Sequence, residues 1–356
     1  MHETMVVEED FFGRMKVKGP YGNTEIIRRF TLVNENGMSV QLITYGAAIT
    51  SIKVPDKNGT VEDVVLGFDR LEEYQNQTHY IGCTIGRVAN RISNGTFRIG
   101  NKEYILEKNN GPSHLHGGSH GFNKIVWDSL VEGSSVTFSH HSPSRDQGYP
   151  GEVMCYVTYQ LTDDNEVLID YKATSTQTTP LNLTNHSYFN LGGHGSGPVY
   201  NHTVSMNADY YTPVDETLIP TGEIADVTGT VFDLRKPTDL ASVMNRVPGE
   251  GFDHNFCVKG EIGTSRLAAK IFHSESGRSM EVWTTQPGVQ LYTGNSLPTD
   301  DSLKGKGGAV YKKHGSFCLE TQHYPDSVNK PNFPTCIIGP GELYQHTTVF
   351  KFAIEE

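Results

Sequence analysis

Two runs decide the fold: Glu152-Val153-Met154-Cys155-Tyr156-Val157-Thr158-Tyr159-Gln160-Leu161 and Glu166-Val167-Leu168-Ile169-Asp170-Tyr171-Lys172-Ala173, separated by Thr162-Asp163-Asp164-Asn165. In the first, Val153, Cys155, Val157, Tyr159 and Leu161 alternate with Glu152, Met154, Tyr156, Thr158 and Gln160. In the second, Val167, Ile169, Tyr171 and Ala173 alternate with Glu166, Leu168, Asp170 and Lys172. Successive side chains of a strand point to opposite faces, so this is an antiparallel hairpin with one buried face.

The same period recurs elsewhere. Phe97 and Ile99, then Gly100-Asn101, then Tyr104 and Leu106 read as a second hairpin. Ile271 and Met280–Val282 flank Ser274-Glu275-Ser276-Gly277, and Phe350 and Phe352 alternate with Val349, Lys351 and Ala353. The 37 glycines and 17 prolines supply turns throughout. Helical patterns are short, at 69–75 and 238–246. No βαβ alternation and no G-x-G-x-x-G after a strand is present, which disfavours a dinucleotide fold. With no linker-like shift and no fixed-period repeat, the 356 residues read as one domain, a large all-β antiparallel sandwich. Residues 1–20 carry no reading.

Composition narrows the function. A formal net charge of −12 disfavours nucleic acid or an anionic membrane as partner, since both need a basic footprint. No run is apolar for long enough to span a bilayer. Met1–Asp10 is acidic and lacks the apolar core of a signal peptide. Cys83, Cys155, Cys257, Cys318 and Cys336 are odd in number and scattered, so they read as buried reduced thiols in a cytoplasmic protein.

Six polar clusters break the strand pattern. Gly86-Arg87-Val88-Ala89-Asn90-Arg91-Ile92 offers Asn90 and Arg91 as planar donors for hydroxyls. Ser113-His114-Leu115-His116-Gly117-Gly118 sets His116 before two glycines that let backbone approach a ligand. His114 and His116 share one face if the segment is extended, a pattern that recurs in metal sites; no carboxylate lies close in sequence, so no metal is expected. Asn185-His186-Ser187-Tyr188-Phe189-Asn190 combines amides, rings and one group able to move a proton near neutral pH. Gly251-Phe252-Asp253-His254-Asn255-Phe256 places a carboxylate among aromatics. Thr285-Gln286-Pro287-Gly288-Val289-Gln290-Leu291-Tyr292 puts Gln290 and Tyr292 on one strand face. In Phe317-Cys318-Leu319-Glu320-Thr321-Gln322, Glu320 shares a face with Cys318, where a carboxylate is costly to bury without a purpose. Taken singly, most of these also read as ordinary turns, caps or strand ends.

Together, and in this order, the six tracts resemble the aldose 1-epimerase (galactose mutarotase) family, as does Thr212-Pro213-Val214-Asp215-Glu216-Thr217-Leu218-Ile219-Pro220-Thr221-Gly222. The resemblance runs from about Thr31 to the C-terminus. It implies a β-sandwich of the mutarotase type with a monosaccharide in a shallow cleft on one sheet, and no cofactor. It implies Glu320 as general base and His186 as general acid. Asn90, Arg91, His116, Asp253 and Gln290 match positions that hold the sugar or orient the acid. Tyr188 or Phe189 would pack against the sugar's C–H face. A monomer or weak homodimer is expected. Three rivals stay open: a glycoside hydrolase using Glu320 and Asp253 along a long cleft, a sugar-binding module without chemistry, and a phosphosugar epimerase with a basic cradle.

Overall fold

The computed structural model describes residues 7–16, 24–249 and 251–355. The first residues of the acidic stretch read against a signal peptide lie outside these. Strands dominate, and three antiparallel sheets carry the architecture. The largest has nine strands, in the order Asp128–Glu132, Ser135–Ser142, Val153–Leu161, Glu166–Ser175, Tyr344–Ile354, Arg278–Thr284, Arg266–His273, His202–Met206 and Thr238–Asp239. The hairpin read from sequence lies in it, in register from Val153↔Ser175 to Leu161↔Val167. Val153, Cys155, Val157, Tyr159 and Leu161 are all fully buried, while the intervening residues are half-buried or exposed. Asn165 closes the turn at φ 58°, and its side-chain oxygen accepts from Asn34 Nδ2 at 2.7 Å, tying the turn to a second sheet.

That second sheet has five strands in chain order: Val7–Lys16, Thr24–Val33, Ser39–Ile43, Ala48–Pro55 and Val61–Asp63. The third also has five, ordered Ala225–Asp226, Tyr210–Thr212, Asp253–Cys257, Gly288–Tyr292 and Cys318–Gln322. One apolar cluster draws on all three: Phe30 and Ile49 from the second sheet, Val157 and Phe350 from the first, Phe256 and Leu291 from the third. A sandwich with a shared core follows, because each sheet has one apolar face to bury.

The helices are short, Leu71–Asn76 and Leu240–Val243, the latter continued by a 3-10 turn at Met244–Arg246. The hairpin at Gly100-Asn101 forms from Thr96–Ile99 and Lys102–Ile105. All five cysteines are buried and unpaired.

Residues 7–16 do acquire structure: Val7–Lys16 pairs with Thr24–Val33 from Val7↔Leu32 to Lys16↔Thr24, with a bulge between Phe11 and Gly13. This edge strand buries no full face, so it gives no alternation to read. Charge marks it instead, with Asp10 taking two hydrogen bonds from Arg29, at 2.9 and 2.5 Å, as suits an edge that must not recruit another strand.

Phe189 lies in the main core, 5.0 Å edge-on from Phe350 and stacked 5.9 Å from Phe317. It therefore does not face a ligand. Phe189→Ala should lower stability by about 3–5 kcal/mol, measured by urea denaturation, because it opens a cavity in a close-packed core.

Candidate active site

The floor of the site is the third sheet. Its register sets Asn255 opposite Gln290 and Gln290 opposite Glu320. Alternation sends Phe256, Val289, Leu291 and Leu319 into the core and leaves Asp253, Asn255, Gln290, Tyr292, Cys318, Glu320 and Gln322 on the other face. That face is buried yet polar, so its groups must satisfy one another. Gln322 Nε2 donates to Asn255 Oδ1 at 3.2 Å and to Gln290 Oε1 at 3.0 Å; Gln290 Nε2 donates to Asp253 Oδ1 at 2.8 Å. Gly288 makes this possible, since a Cβ there would lie 2.4 Å from Asn255 Oδ1.

Two loops form the walls. Arg91-Ile92 pairs with His114-Leu115, and the chain then turns sharply at His116, φ 50°, opposite Asn90, φ 63°. The His116 N–H donates to the Asn90 carbonyl at 3.0 Å, and the Asn90 N–H donates to His116 Nδ1 at 3.0 Å. The ring is thereby fixed as the tautomer with its proton on Nε2. Burial, with the neighbouring His186 adding to it, holds the His116 imidazole well below the ordinary range, so it stays a neutral donor. Gly117 crosses this turn where a Cβ would sit 1.9 Å from the Gly86 carbonyl.

The second wall carries His186. Thr184-Asn185 pairs with Thr84-Ile85, the His186 N–H donates to the Cys83 carbonyl at 2.9 Å, and Gly82 N–H donates to the His186 carbonyl at 3.0 Å. His186 Nε2 then lies 3.7 Å from Glu320 Oε1. Both residues are almost wholly buried, and Glu320 Oε2 has no partner among the described residues.

These side chains line one cavity of about 380 Å³. Asn90, Arg91, His116, His186, Asp253 and Glu320 all reach it. Gln290 does not; it stands behind Asp253 and holds its carboxylate. Arg91 is 3.7 Å from Asp253 Oδ2, and its Nε donates to Asn110 Oδ1 at 3.3 Å. Tyr188 lines the cavity and stacks on His186 at 5.0 Å, so it steadies the imidazole. Nothing in the sequence singled out Tyr80, His79 or Asn110, which also line the cavity: they sit on loops without pattern, and a ring set against a histidine is a tertiary contact.

Burial pushes the Glu320 carboxyl up to about 8, with Asp253 adding to the shift and Arg91 opposing it. Burial pulls His186 down to about 4, against the pull of its own carbonyl and of Asp253. Both shifts favour the uncharged forms, a protonated Glu320 and a neutral His186, so between those limits the pair carries one shared proton. The arrangement with the proton on His186 and a Glu320 carboxylate has the same proton count, so the two interconvert without exchange with solvent.

His114 does not join His116; its Nδ1 meets the Glu107 carbonyl at 2.7 Å, because the His116 turn breaks the extended geometry. Donor atoms of His116, His186 and Glu320 do lie within 4.8 Å of one another. A metal on His116 Nε2 would require its proton to move to Nδ1, where it would face the Asn90 N–H. The donor set therefore fits a hydroxylated ligand better than a metal ion. We expect ¹⁵N-resolved NMR at about pH 7 to find His116 as the neutral Nε2–H tautomer; a protonated Nδ1 would overturn this reading.

Comparison with known proteins gives consistent matches. The family model described as aldose 1-epimerase matches residues 28–351. The galactose mutarotase of Bos taurus is 52% identical over 328 residues, covering 92% of this chain and 94% of that protein. The galactose mutarotase of Homo sapiens is 53% identical over 317 residues, covering 89% and 92%. An aldose 1-epimerase of Escherichia coli strain K12 is 37% identical over 335 residues, covering 92% and 96%. Among solved structures, the aldose epimerase homologue from C. elegans superposes with a TM-score of 0.86 at 32% identity, covering 98% of this chain and all of that one. Galactose 1-epimerase from Lactobacillus acidophilus NCFM gives 0.81 at 27% identity, covering 99% and 100%.

Proposed function

The chain belongs to the aldose 1-epimerase family, an enzyme that interconverts sugar anomers, and from that premise we propose that Glu320 is its general base and His186 its general acid. The observation that carries this assignment is the buried pair, His186 Nε2 and Glu320 Oε1 3.7 Å apart, at the floor of a cavity sized for a single sugar. At about 380 Å³ the cavity lies near the lower end of the ~300–1,000 Å³ typical of small-molecule sites.

Opening a cyclic hemiacetal requires the C1 hydroxyl to lose a proton while the ring oxygen gains one. Glu320 carboxylate takes the first, and the His186 imidazolium gives the second from Nε2. The C1–O5 bond breaks, the aldehyde turns about C1–C2, and the ring closes from the other face with the two roles reversed. Once the ring is open, the proton sits on Glu320 and His186 is neutral, which is the arrangement that burial favours in the empty site. The open-chain stage therefore inherits the stable form of the pair. Moving that proton back onto His186 at the start falls to the bound sugar and to what surrounds the imidazole.

His116 Nε2–H, Asn90 and Arg91 donate to the remaining hydroxyls, so that only the C1 end turns. Asp253, held by Gln290 and facing Arg91, accepts from a hydroxyl pair. Galactose and glucose are the expected substrates. Among the described residues lining the cavity, Arg91 is the one lysine or arginine, and it already faces Asp253. This argues against a phosphosugar.

The site is complete within one chain, in keeping with a monomer or weak homodimer. One apolar cluster runs from Phe30 to Phe352, in keeping with a single catalytic domain. The acidic charge speaks against nucleic acid as a partner, and no helix among the described residues is long and apolar enough to cross a membrane. Five unpaired buried thiols suit a cytoplasmic setting.

Polarimetry on freshly dissolved α-D-galactose and α-D-glucose tests the assignment. Glu320→Gln and His186→Asn should each lower kcat by about 10²–10⁴-fold; near-wild-type turnover in either variant would sink its role. The pH dependence of kcat/KM should be bell-shaped. The rate rises through about 4 as the pair sheds its second proton and falls through about 8 as it loses its last. A flat profile across the upper limb would contradict the shared-proton pair.

A further inference from the structure

His186 poses a physical problem. It is buried, and burial favours its neutral form, yet the chemistry proposed for it requires an imidazolium at the moment of proton transfer. The groups packed around it show what offsets this. Glu320 Oε1 is 3.7 Å from Nε2, and Cys318 Sγ is 3.6 Å from Nδ1. Burial holds the Cys318 thiol protonated, so it brings no negative charge. His116 meets the ring edge-on at 5.2 Å, and Tyr292 does so at 6.4 Å. His79 acts against protonation and Asp253 acts for it. The remaining neighbours are two phenol rings nearly parallel to the imidazole: Tyr188 at 5.0 Å and 18°, Tyr80 at 6.0 Å and 19°.

Tyr80 is held there deliberately. Its φ of 61° lies in the left-handed region, which a bulky side chain adopts only when its surroundings impose it. Four hydrogen bonds tie its segment to the one carrying His186. Tyr188 Oη donates to the His79 carbonyl at 2.8 Å, and Asn185 Nδ2 donates to the Gly82 carbonyl at 3.0 Å. Gly82 N–H reaches the His186 carbonyl, and His186 N–H reaches the Cys83 carbonyl. One stacking ring thus anchors the backbone that presents the other. The face of a phenol ring is electron-rich and attracts a cation placed against it, more strongly where water is excluded.

We propose that Tyr80 is a positioning residue for the anomerisation: with Tyr188 it forms an aromatic pair that fixes the His186 ring plane and favours its protonated form over the neutral one. The proposal rests on His186 as the proton donor. Tyr80 need not touch the reacting atoms to act in this way, and its contribution appears in turnover and in the titration of His186 rather than in substrate affinity.

The test combines polarimetry with an NMR titration of the His186 imidazole in Tyr80→Leu, Tyr80→Phe and Tyr188→Phe. Tyr80→Leu should lower kcat by about tenfold with KM changed less than about twofold, and should move the His186 titration and the acid limb of kcat/KM about one pH unit lower. Tyr80→Phe keeps the ring and should recover most of that loss. Tyr188→Phe keeps its ring but cuts the bond to His79, and should give a smaller shift of the same sign. An unchanged His186 titration in folded Tyr80→Leu overturns the proposal. So does a loss confined to KM, which would make Tyr80 a substrate contact. Should Tyr80→Leu fail to fold, an unchanged kcat and titration in Tyr188→Phe overturns it. The donor assignment fails separately, through His186→Asn turning over like wild type, because the titration reads the aromatic pair whether or not His186 is the donor.

Discussion

A carboxyl and an imidazole buried side by side have one arrangement that costs little: a single proton between them and no net charge. Two protons leave a buried cation, and none leaves a buried anion, each of which the low-dielectric interior penalises. Most of what surrounds Glu320 and His186 is consistent with this constraint. Their placement 3.7 Å apart joins a strand of one sheet to a loop stitched to a different part of the chain. Both side chains are almost wholly buried, and moving one proton between them leaves the net charge of the pair unchanged. An anomerase needs little more, because the hemiacetal it opens and closes gains and loses one proton at two oxygens.

The polar face of the third sheet carries Glu320 and fixes Asp253 beside it. Gln322, Asn255, Gln290 and Asp253 form a chain of side-chain hydrogen bonds running from the sheet toward the cavity. Each amide has its orientation set by the next, and the last link is the carboxylate that faces Arg91. Such a network rigidifies a site as far as its members are satisfied; here Asn255 Nδ2 and Gln322 Oε1 have no partner among the described residues. Gly288 is its structural counterpart, a position where any side chain would displace Asn255.

Much of this was legible in the sequence, for a physical reason. Alternation at Val153–Leu161 and Val167–Ala173 reports burial on one face, and the fold follows from where those faces go. The site residues were legible because a carboxylate after Phe-Cys-Leu, or a histidine amid amides and rings, contradicts its local pattern. What escaped notice were contacts made between segments without pattern. Tyr80 looks like any loop tyrosine, and only the folded chain sets it against His186. Of Tyr188 and Phe189, either of which could face a sugar by sequence, alternation leaves Tyr188 on the cavity and turns Phe189 into the core. Gln290 shares its strand face with Tyr292 in the sequence, and only the folded chain shows its amide bonded to Asp253, two residues along the neighbouring strand from its register partner Asn255.

The edge strand Val7–Lys16 has a reach beyond its sheet. Phe12 meets Tyr74 edge-on at 6.0 Å, and Gly13 lies so close to Leu71 that a Cβ would sit 2.9 Å from it. Phe12 and Met15 pack on a second apolar cluster that holds Leu71, Tyr74, Ile81, Tyr188, Tyr292 and Cys318, the layer directly behind the imidazole. The family model begins at residue 28, past this strand, whereas the C. elegans homologue's structure superposes over 98% of the chain. It works as a buttress: drift in a segment far from the cavity has a mechanical route, through one short helix, to the wall on which His186 is mounted.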